Sequence, residues 1–213
     1  MQVQPEGIGV RERQKLETRR KILQAALDLF AEKGFEGASV RDIAARAGVI
    51  HGLIKYHFES KDQLWKAAVD YLFERQAEEM RAPPGYEDLS PSAQARDWIR
   101  RYVHYCARHP EHARIMVQES IRDSERLRWA VDKHISPVHA IARELGRQRV
   151  ASGVYPDIPQ HAIIYIIAAA AQSPFMLSSE VALSEGINVA NTEQIDAYAD
   201  ALITFLLDHR AAE

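Results

Sequence analysis

The chain has 213 residues, of which 46% are hydrophobic and 27% charged, and this balance is typical of soluble domains with packed cores. Its formal net charge is only −3, so any binding of nucleic acid has to come from a local basic patch. The single cysteine, Cys106, excludes an internal disulfide and a thiolate metal cluster. With no export signal and no apolar run of about 20 residues, we expect a soluble cytoplasmic protein that does not enter a membrane.

The N-terminal segment changes character near residue 10. Residues 1–10 hold one proline and two glycines without an apolar period, so we expect a disordered tail there. The next eleven residues carry six basic side chains against Glu12 and Glu17, a local net charge of +4. Such a run suits a solvated helix start and a contact with a polyanion equally well. The basic residues are Arg11, Arg13, Lys15, Arg19, Arg20 and Lys21.

Two helices are predicted before residue 48. Apolar residues recur every three or four positions over residues 22–30, which gives the first helix one buried face. Gly34 follows where helices commonly end in a left-handed residue. Ser39 precedes Asp42 by three residues, the spacing of an N-cap, so the second helix starts there and ends before Gly48.

A short turn joins this second helix to a third. Ala47-Gly48-Val49 has the composition of the turn in a helix-turn-helix, whose second helix enters the major groove of DNA. The third helix, residues 50–57, combines an apolar face for a small core with a face of hydrogen-bond donors that contains no acid. Ser60 is placed to cap a fourth helix that runs to about residue 80.

The run from Thr18 to Leu64 resembles the DNA-binding domain of the tetracycline-repressor (TetR) family. The matching elements are Ile22-Leu23-Gln24-Ala25-Ala26 with Leu29-Phe30, Lys33-Gly34-Phe35, Arg41-Asp42-Ile43-Ala44, Ala47-Gly48-Val49, and Tyr56-His57-Phe58 with Ser60-Lys61. The resemblance implies a helix-turn-helix DNA-binding domain of three helices over residues 11–60. It also implies a larger helical domain for effector binding and dimerisation over residues 61–213.

The candidate DNA-binding residues come from this region. The resemblance implies that Arg41 reads a base and that His57 and Lys61 hold phosphates. It also implies that four residues of the third helix face the groove, His51, Gly52, Leu53 and Tyr56. Purely structural alternatives remain open: Arg41 could pair with a carboxylate on its own helix, His51 could be a neutral surface residue, and Tyr56 could pack on the helix beside it. The full set is Ser39, Arg41, His51, Gly52, Leu53, Lys55, Tyr56, His57 and Lys61.

Two positions depart from the family pattern. Many relatives have Ser or Thr at Ile50, which caps the recognition helix, and many have Tyr at Lys55. An isoleucine has no oxygen for capping, and a lysine can hold a phosphate. Base preferences therefore do not transfer to this chain.

Beyond the break at residues 82–85, only helical periodicity is present. We predict helices over residues 90–108, 111–123, 124–150 with a bend near Pro137, 160–178 and 192–209. The fold class is therefore all-α, with about nine helices.

The larger region holds candidates for an effector pocket and for a dimer interface. An aromatic, partly polar stripe on the helix over residues 90–108 suits a pocket wall, although an ordinary core with amphipathic edges is the alternative. The last two long helices have apolar residues on most of their faces, which favours burial of these faces against a partner subunit. Candidate pocket residues are Trp98, Tyr102, Tyr105, Cys106, Met116, Trp129, His134 and Phe175. Candidate interface residues are Ile163, Ile167, Ala170, Ile195, Tyr198, Leu202 and Phe205.

Neither a metal site nor an enzyme is expected. His104, His109 and His112 lack the four-residue spacing that places two ligands on one helical face, and no catalytic motif is present. We therefore expect a homodimeric regulator without a cofactor, most simply a repressor, that binds a palindrome in double-stranded DNA. A largely apolar small molecule is expected to release it. The rivals are an architectural DNA-binding protein without a ligand, and a helical binding module or enzyme in which the motif is a packing accident.

Overall fold

The computed structural model describes residues 9–208, and every regular element in that range is helical. The expectation of an all-α fold is therefore confirmed. The chain forms two compact units that divide between Leu72 and Phe73. Of the tail expected over residues 1–10, residues 1–8 lie outside the described range, and Val10 already begins a helix.

The N-terminal unit contains α1 (Val10–Gly37), α2 (Val40–Ala47), α3 (His51–His57) and the first part of α4 (Lys61–Glu79). At Gly34 the backbone leaves the helix with φ 71° and ψ 172°, so α1 breaks where the glycine predicts an end and resumes for one turn. The fully buried large side chains of the unit come from all four helices and form its core. They are Ile22, Leu23, Leu27, Leu29, Phe30, Ile43, Ile54, Leu64, Trp65 and Leu72.

The division inside α4 differs from the expected domain boundary after residue 60. The apolar stripe of α4, Leu64, Trp65, Ala68, Val69 and Leu72, is buried, and all five residues belong to the N-terminal unit. The first three turns of α4 are therefore part of the core that supports the helix-turn-helix.

The C-terminal unit continues with a short 3-10 helix and seven more α-helices. Their bounds are α5 (Pro91–Arg108), α6 (Pro110–Arg122), α7 (Glu125–Ala130), α8 (Ser136–Ala151), α9 (Gln160–Met176), α10 (Ser178–Glu185) and α11 (Thr192–Ile203). α5 packs against α9 and α11, and this trio builds the main core of the unit. α5 begins as its sequence predicts, because the Ser90 hydroxyl accepts a bond from Ala93 N–H at 3.3 Å and Pro91 occupies the first turn.

Two departures from the expected helices have local causes. The helix expected over residues 124–150 is interrupted by a π-helical turn, Val131–Ile135, immediately before Pro137. Proline cannot donate to the preceding turn and its ring crowds the carbonyl four residues back, so the turn widens. In addition, α10 is a separate helix that no expectation covers, and it ends at Gly186 with φ 70°.

Among residues 9–208, no single helix is long and apolar enough to cross a membrane. α9 and α10 meet that criterion only together, with a 70° bend between them.

Candidate nucleic-acid interface and effector region

The helix-turn-helix is fixed by one cap and one left-handed glycine. Asp42 N–H donates to the Ser39 hydroxyl at 3.0 Å, so Ser39 is the N-cap that its spacing predicts. Gly48 closes α2 with φ 67° and ψ 33°, and Val49 N–H donates to Ala44 O at 3.0 Å. These local bonds set the angle at which α3 leaves α2.

Two ion pairs tie α2 to α1. Arg46 makes a two-pronged contact with Glu32, at 2.5 Å and 2.9 Å, and Lys33 lies 3.3 Å from the Asp42 carboxylate. The bond from Ser39, followed by that from Lys33, lowers the pKa of Asp42. The charge of Arg41 has a weaker effect on that carboxylate than Lys33 has. The partner of Asp42 is therefore Lys33, and not Arg41 on the same helix. The Arg41 side chain is exposed.

α3 presents two contrasting faces. Ile54 is 2% exposed, and Phe58, directly after the helix, is 7% exposed, so both anchor α3 in the core of the unit. Leu53 and His57 are half-buried at the edge. The outward face carries three donor side chains and one glycine without a side chain. These exposed residues are His51, Gly52, Lys55 and Tyr56.

The start of α3 lacks a side-chain cap. Ile50 occupies the N-cap position with 74% of its surface exposed, and its side chain makes no capping bond. This departure is the one that the sequence indicates, since an isoleucine offers no acceptor to the first N–H groups of the helix.

Lys61 makes two contacts within the N-terminal unit that its sequence position does not indicate. Its ammonium donates to the carbonyl of Glu36 at 3.3 Å and lies 4.5 Å from the centroid of the Phe35 ring. An ammonium has three donors, so one bond to Glu36 is compatible with a contact to phosphate. The side chain is held in place rather than freely extended.

His57 lies in positive surroundings. Partial burial, and then the charges of Lys15 and Arg19, lower the pKa of this imidazole below its usual value. The ring is therefore neutral near pH 7 and offers one N–H donor. Lys15 and Arg19 belong to α1 and are not among the residues that the motif singles out, although the basic run at residues 11–21 signals them.

The C-terminal unit buries most of the aromatic stripe expected to line a pocket. Tyr102, Tyr105, Cys106 and Phe175 are all less than 10% exposed and pack in the main core, while Trp98 stacks on Tyr102 at 5.1 Å. Burial raises the pKa of the Cys106 thiol to about 12, so this cysteine is protonated and unreactive. Next to Tyr105 and Cys106 lies a cavity of only about 10 Å³, which has room for about one water molecule.

The remaining pocket candidates lie elsewhere in the unit. His134 is edge-on to Trp129 at 5.5 Å and stacks on Phe73 at 4.5 Å, and Met116 is half-buried on α6. Phe73 in turn contacts His112, which borders the small cavity. A run of rings therefore leads from Trp129 to the cavity, through two residues that the sequence pattern does not indicate.

A partly buried polar network links α4 to α5 and α6. Arg75 lies 2.6 Å from Glu111, and His109 lies 2.8 Å from Glu79 and 3.4 Å from Glu111. Burial opposes ionisation of Glu79 and Glu111, but bonds from Arg108 and His109 to the first, and from His109 and Arg75 to the second, lower both pKa values. The carboxylates are therefore charged, and they fix the last two turns of α4.

A larger opening lies near the N-terminal end of α9. It is a groove of about 300 Å³ with almost wholly apolar walls. Its walls come from the loop before α9, from α9 itself and from the π-helical turn Thr204–Asp208 that follows α11. The lining residues are Tyr155, Pro156, Ile158, Ile163, Ile166, Ile167, Phe205 and Leu206.

Four of the interface candidates have to be corrected. Ile163, Ile167, Ile195 and Leu202 are each less than 10% exposed and pack in the core of their own chain, so they offer little area to a partner. A helix that is apolar all round does not reveal which side its own core takes. Ala170 and Tyr198 are half-buried and joined by a 2.7 Å bond from the Tyr198 hydroxyl to the Ala170 carbonyl. Phe205 is 74% exposed, and so remains available.

Other apolar side chains take up the outer faces. Tyr165 and Ile166 on α9 are 63% and 46% exposed, and α8 adds three exposed aliphatic side chains. His139 on α8 is edge-on to Tyr165 at 5.8 Å, which joins these two faces into one surface. The three aliphatic residues are Val138, Ile141 and Leu145.

Comparison with known proteins gives the family. Residues 22–68 match the model described as bacterial regulatory proteins, tetR family. The HTH-type transcriptional regulator RutR of Escherichia coli K12 is 30% identical over 164 residues, which cover 75% of this chain and 75% of RutR. The chain therefore belongs to the tetR family of bacterial regulatory proteins. This membership confirms the resemblance, and it confirms the expectation that the protein is not an enzyme.

Two further likenesses differ in extent. An HTH-type transcriptional repressor of Mycobacterium tuberculosis is 53% identical over 66 residues, which are 29% of this chain and only 35% of that protein's length. The solved structure of AibR in complex with isovaleryl coenzyme A and operator DNA has a TM-score of 0.69 at 18% identity and covers 89% of this chain and 98% of AibR. The first likeness covers less than a third of this chain, and the second concerns the fold alone.

Proposed function

We propose that the protein is a transcriptional repressor that binds operator DNA as a homodimer and is released by a small, largely apolar effector. The observation that carries this proposal is the outward face of α3. There His51, Lys55 and Tyr56 stand exposed, without an acid, on a helix whose exit angle is set by Ser39 and Gly48. Donors on a rigid helix of this kind suit base edges and phosphates in a major groove.

We assign each hydrogen-bond donor of this surface a role in DNA binding. Arg41 and His51 read base edges, Lys55, His57 and Lys61 hold phosphates, and the absence of a side chain at Gly52 allows close approach. Ser39, Leu53 and Tyr56 complete the contact surface. We expect the action to take place in the cytoplasm, where the chromosome of a bacterium lies.

Homodimerisation is proposed through the exposed apolar surface of α8 and α9 with Phe205. A two-fold dimer presents two copies of α3 to DNA and selects a palindrome whose half-sites lie about one turn, or about 34 Å, apart. Side chains such as Tyr165, Ile166 and Phe205 are the kind that a partner copy covers, because water-exposed aromatic and aliphatic area is costly.

The effector site is proposed at the small cavity beside Tyr105 and Cys106. His112 and Gln172 supply polar groups to a lining that is otherwise mostly apolar, the composition typical of a small-molecule site. In this closed form the cavity has to open to admit a ligand. AibR, a protein of similar fold, was solved together with isovaleryl coenzyme A and operator DNA, which supports a ligand-responsive architecture.

Release is proposed to work by a population shift through α4. His109 borders the cavity and bonds Glu79, and Glu111 bonds Arg75, so an effector that moves α6 pulls on the last turns of α4. α4 is one continuous helix that begins directly after the helix-turn-helix. The effector must bind more tightly to the form that does not bind DNA, since equal affinity shifts nothing.

The experiment is selection of duplexes from a random pool by the purified chain, followed by sequencing. We expect an enriched motif with two-fold symmetry and half-sites about 10 base pairs apart. An asymmetric motif would exclude the palindromic dimer, and a pool without enrichment would exclude sequence-specific binding.

A further inference from the structure

The first half of α1 projects a basic segment that the helix-turn-helix motif does not include. From Val10 to Lys21 no side chain is buried, and Thr18 alone is half-buried, whereas the next residue, Ile22, is fully buried. Three turns of helix therefore stand outside the core that the rest of α1 builds.

The basic residues of this segment fall on two faces. Arg11, Lys15 and Arg19 follow one another at intervals of four residues and so lie in one row, which continues into Ile22. The row thus faces the same side as the buried stripe of α1. The other three basic residues, Arg13, Arg20 and Lys21, point away from it, and the Lys21 ammonium is bound to Glu17 at 2.8 Å.

The row ends against the recognition helix. The Arg19 guanidinium lies 5.5 Å from the centroid of the Phe58 ring, directly after α3. The charges of Lys15 and Arg19 also reach His57 strongly enough to lower its pKa. The row on α1 therefore reaches the C-terminal end of α3, the helix that carries the donor face.

We propose that Arg11, Lys15 and Arg19 form a second DNA contact, which holds the sugar-phosphate backbone beside the segment read by α3. The inference rests on the proposed function, because it extends the same DNA surface. Four residues of helix rise about 6 Å, so the row is about 12 Å long and runs past about three phosphates of one strand. Glu12 is the acid nearest to the row in sequence, and three cations outweigh it. The contact carries affinity and register and no base readout.

The test compares two triple variants of the full chain on the duplex that the parent selects. R11Q/K15Q/R19Q removes the row, and R13Q/R20Q/K21Q removes the same charge from the other face of the same helix. The logarithm of affinity is measured against the logarithm of salt concentration. We expect the row variant to flatten the slope by about 2.7, at about 0.9 per phosphate contact, and the control to flatten it by less than 1. Equal slopes for the two variants would overturn the inference.

A second variant separates the DNA contact from the packing of Arg19 on Phe58. R11Q/K15Q leaves the contact with Phe58 intact and should flatten the slope by about 1.8. Selection with each row variant should return the motif that the parent selects, and a changed motif would overturn the assignment to phosphates. If the parent itself selects no duplex, the proposed function fails. If the parent binds and the row and control variants behave alike, the inference alone fails.

Discussion

The hydroxyl of Tyr105 and Nδ1 of His112 lie 2.8 Å apart in the core of the C-terminal unit, one on α5 and the other on α6. Both side chains are less than 10% exposed, and the His112 ring is also edge-on to Phe73 at 4.8 Å. Burial is the main cause that lowers the pKa of His112, to about 3. The imidazole is therefore neutral in the folded chain at any pH at which the protein works.

This pair predicts a loss of stability in mild acid. The unfolded chain protonates His112 near its ordinary pKa of about 6.5, whereas the folded chain does so only near 3. Between those values the unfolded state holds more protons, so a falling pH favours unfolding by up to about 1.4 kcal/mol per pH unit. Denaturant unfolding should show about 1.6 kcal/mol less stability at pH 5 than at pH 6.5 from this residue.

The matched variant is His112→Gln, which cannot titrate. The pH dependence between 6.5 and 5 should shrink by that amount relative to the parent. Glu79 and Glu111 do not interfere, because their lowered pKa values place their contribution below about pH 4.5. An unchanged pH dependence in the variant would show that the folded chain protonates His112 as readily as the unfolded chain does, which would contradict this account.

The largely buried ion pair of Arg75 and Glu111 predicts that removing one partner lowers the free energy of unfolding by a large amount. Both side chains are close to 12% exposed, so Arg75→Ala leaves a charged, largely buried carboxylate and should cost about 3 kcal/mol of unfolding free energy. R75M/E111L should recover much of this loss, since both charges leave together. The exposed pair of Arg81 and Glu78 is the control, and Arg81→Ala should change stability by less than about 0.5 kcal/mol. Equal effects of the two alanine variants in urea unfolding would contradict this account of the network.

The uncapped start of α3 predicts a stabilising substitution. Ile50→Ser supplies an acceptor for the first N–H groups of the helix and removes an exposed apolar side chain, so stability should rise by about 1 kcal/mol. Ile50→Ala removes the same side chain without adding an acceptor and should give little of that gain. Thermal unfolding by circular dichroism compares the two. A serine variant no more stable than the alanine variant would show that capping does not limit α3.

The exposed ring of Phe205 predicts that the proposed dimer depends on this residue. Phe205→Asp should weaken the dimer by at least about 30-fold, the effect of losing about 2 kcal/mol at a central contact. Leu183→Asp is the control, because Leu183 is 89% exposed on α10, away from the proposed interface residues in sequence. Light scattering after size exclusion measures both. A Phe205 variant that stays dimeric at the concentration where the parent does would remove this residue from the interface.

The sequence predicts well those structural features that depend on residues adjacent in the chain. The cap at Ser39, the left-handed turn at Gly48 and the break at Gly34 each depend on a few adjacent residues, and the structure has all three. The same holds for the missing cap at Ile50. The helix-turn-helix was therefore readable from its own residues.

What the sequence does not predict depends on packing between distant segments. α9 is apolar on nearly every side, so no periodicity separates Ile163, which enters the core, from Ile166, which stays exposed. The same limit hid the contact of Phe73 with His112, which borders the small cavity, because the two residues lie on different helices. Lys15 and Arg19 are visible as a basic run, but only the fold brings them to His57.

The most direct test of DNA recognition by this surface is the affinity of three single variants for the duplex that the parent selects, measured at two salt concentrations. Arg41→Ala and Lys61→Ala should each weaken binding at least about tenfold, and Lys61→Ala should also lessen the salt dependence. Arg147→Ala, which removes an exposed cation on α8, should bind as the parent does. Parent-like binding by both the Arg41 and the Lys61 variants would contradict the account.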